Sequence, residues 1–137
     1  MRELAHKSLF LQLLTTSLGA TRIEGHPKPD GSPAYVRQSV EHSLSQLGPR
    51  GKIDIFECAR RDKTVPFADT LGELVKLREQ GKIGGIALSE VAAETIREAV
   101  KITKIVAVEI ELSLFWTEPM RNGVLEACRE FGIPIHA

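Results

Sequence analysis

The stretch "IDIFECARRDKTVPFADTLGELVKLREQGKIGGIALS", residues 53–89, decides the fold. Its apolar runs at 53–58 and 83–89 read as short strands. Between them Pro66 opens a helix whose Leu71, Leu74, Val75 and Leu77 form a buried stripe, and Gly81 closes it. Strand, helix and strand in so short a span imply parallel strands joined by a right-handed crossover.

The rhythm continues on both sides. Upstream, "HPKPDGSP" (26–33) reads as a loop by its Pro and Gly content, and Ser32 followed by Pro33 is an N-cap with proline at the first helical position. Val36, Val40, Leu44 and Leu47 then recur at helical spacing, with Gly48 as the C-cap. Downstream, a helix is predicted over 93–102 from Ile96, Ala99 and Val100, and a strand over 106–112. A last helix over 120–131 places Val124, Leu125, Ala127 and Cys128 inward, and Gly132 ends it before a strand in "IPIHA" (133–137). The order is α-β-α-β-α-β-α-β, which fits an open doubly wound sheet or a (β/α)8 barrel.

Strand faces separate the two. In 106–112, Val106, Val108, Ile110 and Leu112 share one face, and Ala107, Glu109 and Glu111 the other. In 83–89, Gly85, Ala87 and Ser89 oppose Ile86 and Leu88. Strands of an open sheet covered on both sides are apolar throughout, whereas barrel strands carry a distinct inner face. Small and acidic residues on one face favour the barrel.

Composition bounds the function. The 137 residues are 42% hydrophobic and 26% charged with no net charge, the balance of a globular domain. Without a basic run, nucleic acid and membrane surfaces are not expected partners. Cys58 and Cys128 lack metal or CxxC spacing, which implies buried reduced thiols and a cytoplasmic setting. His42 reads as a polar helix position and His136 as a strand residue, with no metal spacing. Residues 1–20 have a rough signal-peptide outline that Glu3 and Gln12 spoil; an amphipathic helix burying Leu4, Phe10, Leu13 and Leu14 is the expectation there. No phosphate-loop spacing is present in "SLGATRIEG" (17–25).

The residues alone single out Glu57, Glu109 and Glu111 as inward carboxylates near strand ends, where barrels place their chemistry. They read as an acid/base pair or as members of a structural ion-pair network. Trp116 reads as a wall of a substrate pocket or as cover for the barrel rim.

Three segments, "KIDIFECARRDKTVPFADTLGELVKLREQGKIGGIALSEVAAETIREA", "AVEIELSLF" and "NGVLEACREFGIPIHA", resemble aldo-keto reductases, and within them the fungal pyridoxal reductase-like branch. The resemblance covers about residues 29–137, leaving 1–28 as a divergent N-terminal segment. It implies a partial (β/α)8 TIM barrel, about strands 4 to 7 with their helices, and NADP(H)-dependent reduction of a small-molecule aldehyde or ketone, with a role in secondary metabolism among the uses it implies. A whole barrel takes about 250 residues, so the chain is expected to be truncated, and its open sheet edges to favour a homo-oligomer. A catalytically dead remnant and a non-enzymatic interaction module are the alternatives.

The family's catalytic tetrad is Asp, Tyr, Lys and His. By resemblance none is matched: Ala59 stands at the His position, as is typical of the branch, and Arg22 is the cation nearest the place of the Lys. Arg60 is the residue set to contact substrate, or else to pair with Asp62 or Glu57. Ser89 and Glu90 match the pair that holds the nicotinamide carboxamide, and Glu109 falls where many members have a Gln doing the same. No metal is implied. Ala92 stands at a helix start where similar proteins have a serine.

Overall fold

In the computed structural model, which describes residues 21–23, 26–48, 51–59 and 61–137, an antiparallel ribbon precedes a parallel sheet. The ribbon is β1 (Thr21–Ile23) with β2 (His26–Lys28). There follow α1 (Pro33–Leu47), β3 (Ile53–Ala59), α2 (Phe67–Glu79), β4 (Ile83–Ser89), α3 (Ala93–Ala99), β5 (Ala107–Glu109), α4 (Val124–Glu130) and β6 (Ile135–His136). Strands β3 to β6 lie side by side in chain order, each parallel to the next.

Register distributes the side chains. Phe56 lies beside Ile86, Cys58 beside Leu88, and Leu88 beside Val108. These residues join Val36, Val40, Leu71, Leu74, Leu77, Ile96, Ala127 and Cys128 of the helices in one buried cluster. Each fully buried Leu or Ile there contributes about 1.5–3 kcal/mol. By strand alternation the opposite face carries Ile55, Glu57, Ala59, Gly85, Ala87, Ser89, Ala107, Glu109 and His136. A helix-covered face opposed by a small and acidic one is the pattern expected of part of a barrel.

Several boundaries differ from the sequence reading. The "HPKPDGSP" loop begins with a strand, Pro27 sitting opposite Arg22 in the ribbon, where a missing N–H is tolerated at an edge. The helix predicted over 93–102 ends at Ala99, because the Ile102 N–H turns back to the Ala99 carbonyl, a tighter closure than α geometry allows. The strand predicted over 106–112 is only Ala107–Glu109. Val106 precedes it and leans over Gly85, where an added Cβ would meet its methyls at 3.0 and 3.1 Å, so Val106 leaves the helix-facing set. Past Ile110 the backbone turns to side chains, the Glu111 N–H donating to Glu90 Oε1 at 2.7 Å.

The helix predicted over 120–131 splits into a 3₁₀ turn, Glu118–Met120, and α4. Gly123, at φ 83°, makes the break in the left-handed region, and Asn122 Oδ1 accepts the Val124 N–H. The amphipathic helix expected in residues 1–20 lies outside the described residues.

Buried polar groups tie the helices and loops together. Glu73 on α2, almost wholly buried, pairs with Arg37 of α1 and with Lys76 at 3.5 Å. Asp62, just past β3, accepts the Gly31 N–H at 2.9 Å and both the N–H and hydroxyl of Thr64, at 2.8 and 2.7 Å. Thr70 donates its hydroxyl to the Gly31 carbonyl at 2.7 Å. These bonds clamp the start of α1, capped by Ser32, onto the loop that leaves β3. Gly31 is required: a Cβ would lie 2.8 Å from Thr70 Oγ1 and 3.1 Å from Asp62 Cβ. Among the described residues no helix is long and apolar enough to cross a membrane.

Ala92 is the N-cap of α3, with extended backbone and no side-chain cap hydrogen bond. Ala92→Ser supplies an acceptor for one of the free N–H groups of the first turn. It should raise stability by about 0.5–1 kcal/mol, read as a higher urea midpoint at unchanged slope.

Candidate functional site

The C-terminal ends of the four strands bring one set of polar side chains together. Ala59 pairs with Ser89, Ser89 with Glu109, and Glu109 with His136, so these four residues form one row across the inner face. Glu57 stands one layer below, beside Ala87. Ala59, itself buried, contributes only a methyl to this row.

Each polar group has a distinct environment. Burial pushes the Glu57 carboxyl above its ordinary value, with the nearby Glu109 charge adding to the rise; a hydrogen bond from Ser89 and the charge of His136 oppose it. Glu57 Oε1 is buried and has no hydrogen-bond partner. His136 Nδ1 lies 3.2 Å from Glu109 Oε2. Ser89 is 4% exposed, so its hydroxyl is confined between Glu57 and the row.

Glu90 has a left-handed backbone at φ 51°, a conformation uncommon for a residue with a side chain. Its N–H donates to the Glu109 carbonyl at 3.0 Å, and its Oε1 accepts the Glu111 N–H. Glu90 therefore braces the exit of β5. Of the three carboxylates singled out by sequence, Glu57 and Glu109 come within electrostatic reach of each other, whereas Glu111 sits exposed at the rim. His136 was read only as a strand residue; the sole signal of its role was its alternation onto the same face as Glu109.

The other candidates lie elsewhere. Arg60 is outside the described residues. Its neighbour Arg61 forms a two-pronged pair with Glu98, at 2.5 and 3.3 Å, and stacks 5.0 Å over the Phe67 ring. Asp62 is held by Gly31 and Thr64, which keep its carboxyl below its ordinary value. Arg22 lies in β1. The single tyrosine, Tyr35, is on α1 and packs against the core. Cys58 and Cys128 are buried free thiols, and burial pushes Cys58 up to about 12, leaving it unreactive at neutral pH.

The row presents acceptors: Glu109 can accept from an N–H donor, and the neighbouring Ser89 hydroxyl, which donates to Glu57, keeps its oxygen as a further acceptor, adjacent strands holding the two side by side.

The sequence profile of the aldo/keto reductase family matches residues 14–137. Over 109 residues the chain is 41% identical to a probable pyridoxal reductase 2 of Schizosaccharomyces pombe, covering 80% of this chain and 33% of that protein. In structure it is similar to a glycerol dehydrogenase of Gluconobacter oxydans, with TM-score 0.73 and 24% identity, over 78% of this chain and 32% of that one. It is also similar to an aldo-keto reductase of Bacillus halodurans, with TM-score 0.66 and 24% identity, over 77% of this chain and 36% of that one. These structural likenesses concern the fold. The chain spans about a third of the length of the relatives it matches.

The state of Glu57 is open to measurement. Because its folded value is raised above 4.5, its contribution to stability is fully present below the unfolded value and is lost as pH rises through the folded one. Glu57→Gln removes that loss, so its urea midpoint should gain on the wild type between acid and neutral pH. A difference between the two chains that stays constant across that range would show that Glu57 titrates normally.

Proposed function

This chain belongs to the aldo/keto reductase family, and we propose that it forms the nicotinamide-facing part of an NADP(H)-dependent reductase acting on a small aldehyde or ketone. In this reading residues 29–137 are strands 4 to 7 of the barrel, and the inner row at their C-terminal ends meets cofactor and substrate. The observation that carries it is the side-by-side placement of Ser89 and Glu109, two positions matched by resemblance to carboxamide-binding residues. The cofactor would supply hydride to the carbonyl carbon. Ser89 and Glu109 would fix the plane of its amide, and Glu90 would hold the β5 exit in place through Glu111.

Ala59 stands where, by resemblance, the family's His would orient the carbonyl, and its methyl offers no hydrogen bond to do so. Among the described residues no tyrosine or lysine stands at these strand ends; the titratable groups there are Glu57, Glu109 and His136. Arg60 is proposed as a substrate contact. Both cysteines being buried free thiols supports a cytoplasmic setting.

A second reading is favoured by the sheet edges. Among the described residues β3 and β6 are the outer strands of the parallel sheet, and an outer strand is where a further strand can add. On this ground we propose homo-oligomers through these edges, as the route by which a non-enzymatic module would act. Sedimentation over a range of concentrations should show association; a concentration-independent monomer removes this reading.

For the reductase reading, NADPH fluorescence should change saturably on titration with the 137-residue chain and respond weakly or not at all in Ser89→Ala and Glu109→Ala. Aldehyde-dependent NADPH oxidation by the isolated chain should not exceed a heat-killed control, for want of the tyrosine acid. Absence of saturable binding would overturn the reading. Turnover abolished by a change at Arg22 or Arg60 would show that another acid has been recruited.

A further inference from the structure

The chain has a single asparagine, Asn122, and a glycine follows it. An asparagine amide carbon reacts with the next main-chain nitrogen where the two can meet, and a following glycine, having no Cβ, leaves that nitrogen open to approach. Asn122 is exposed, between the 3₁₀ turn and α4, and Gly123 is held at φ 83°. Two further observations make this pair more than a sequence pattern. The N–H groups of Met120, Arg121, Asn122 and Val124 are all engaged, yet none of the hydrogen bonds among the described residues takes up that of Gly123. The bond from Val124 goes to Asn122 Oδ1, at 3.1 Å. It draws electron density from the Cγ carbonyl, and it sits where negative charge collects on Oδ1 when Cγ is attacked.

The chain holds its own comparison. Asp30 and Gly31 form the same kind of turn, Asp30 Oδ1 accepting the Ser32 N–H at 2.9 Å. There the Gly31 N–H is bound to the buried Asp62 carboxylate at 2.9 Å, and an anion so placed holds the proton on the nitrogen. The turn is shared; the free nitrogen belongs to Gly123.

We propose that Asn122–Gly123 is a self-modification site, at which the Gly123 nitrogen attacks Asn122 Cγ. The nitrogen gives its proton to hydroxide, the N–Cγ bond forms, and the Cγ–Nδ2 bond breaks as Nδ2 takes a proton from water and leaves as ammonia. The product is a five-membered cyclic imide. Water opens it at Cγ to aspartate, or at the main-chain carbonyl to isoaspartate, so that in sum one water is consumed and one ammonia released. Either product places a negative charge before α4, in a chain with no formal net charge. In isoaspartate Cγ has entered the main chain, and the side-chain acceptor for the Val124 N–H is lost. That loosens the start of a helix whose Val124, Ala127 and Cys128 reach the core.

The test ages the 137-residue chain at mildly alkaline pH beside a synthetic peptide of residues 118–127, which has the sequence without the fold. Conversion is followed by the mass gain of NH2 replaced by OH, by anion exchange, and by isoaspartyl methyltransferase labelling with peptide mapping. The folded chain should react faster than the peptide, by about threefold or more, within the range of one net hydrogen bond. Label should appear at Asn122 and not at Asp30. Asn122→Ser keeps an acceptor for the Val124 N–H and has no amide, and Asn122→Gln would need a six-membered ring; both should stay unlabelled. Aged wild type should unfold at a lower urea midpoint than fresh, while Asn122→Ser shows no change. No mass gain, a folded rate no higher than that of the peptide, or label at Asp30 equal to that at Asn122 would overturn the proposal.

Discussion

The register of β3 against β4 is the constraint on which the rest depends. With Ile53 beside Ile83 and Ala59 beside Ser89, every second residue of each strand faces the helices and the rest face the opposite side. A slip of one residue would exchange the faces, turning Glu57 into the core and Phe56 and Cys58 away from it. The apolar residues of α2 and the strands resist that slip together, because Leu71, Leu74 and Leu77 have no other surface on which to bury. The clamp of Asp62 on Gly31 then fixes the loop beyond β3 against the start of α1. Packing sets the sheet, and hydrogen bonds set its mouth.

The same register gathers the site. One row of residues from four strands, Ala59, Ser89, Glu109 and His136, arises without any motif contiguous in the chain. Its electrostatics follow from what each carboxylate finds nearby. Glu73 on the helix side meets Arg37 and Lys76, so its burial is compensated. Glu57 on the inner side meets Glu109 and a serine, and responds by holding its proton more tightly. The family match and this uneven compensation are separate lines of reasoning that meet at the same strand ends.

Much of this was legible beforehand wherever a local rule governed the outcome. Ser32 and Pro33 start α1, Gly48 follows it, and β4 runs over the residues its apolar pattern marked. Errors fell where a local pattern competed with a tertiary contact. Val106 fits the helix-facing alternation of its strand, yet it fills the space left by Gly85 on the neighbouring strand. Met120 to Phe131 has the apolar spacing of one helix, but Gly123 in a left-handed conformation divides it. Glu90 matches a binding position by resemblance, and the structure adds that its carboxylate accepts the Glu111 N–H, a contact no local pattern announces.

The sequence by itself determined the alternation of helices and parallel strands and most of the residues on each strand face, because periodicities of 3.6 and 2 and capping residues act over a few neighbours in the chain; the family followed from the resemblance of whole segments. Only the tertiary structure decided that Glu109 meets His136, 27 residues away, and that Asp62 meets Gly31, 31 residues away. Periodicity says which way a side chain points; which other side chain it meets depends on strand order and register, and those follow from how the helices pack over the whole sheet. The state of Glu57 belongs to the second kind. Burial and the Glu109 charge from another strand of the sheet push its carboxyl up, and nothing within the segment around it carries that information.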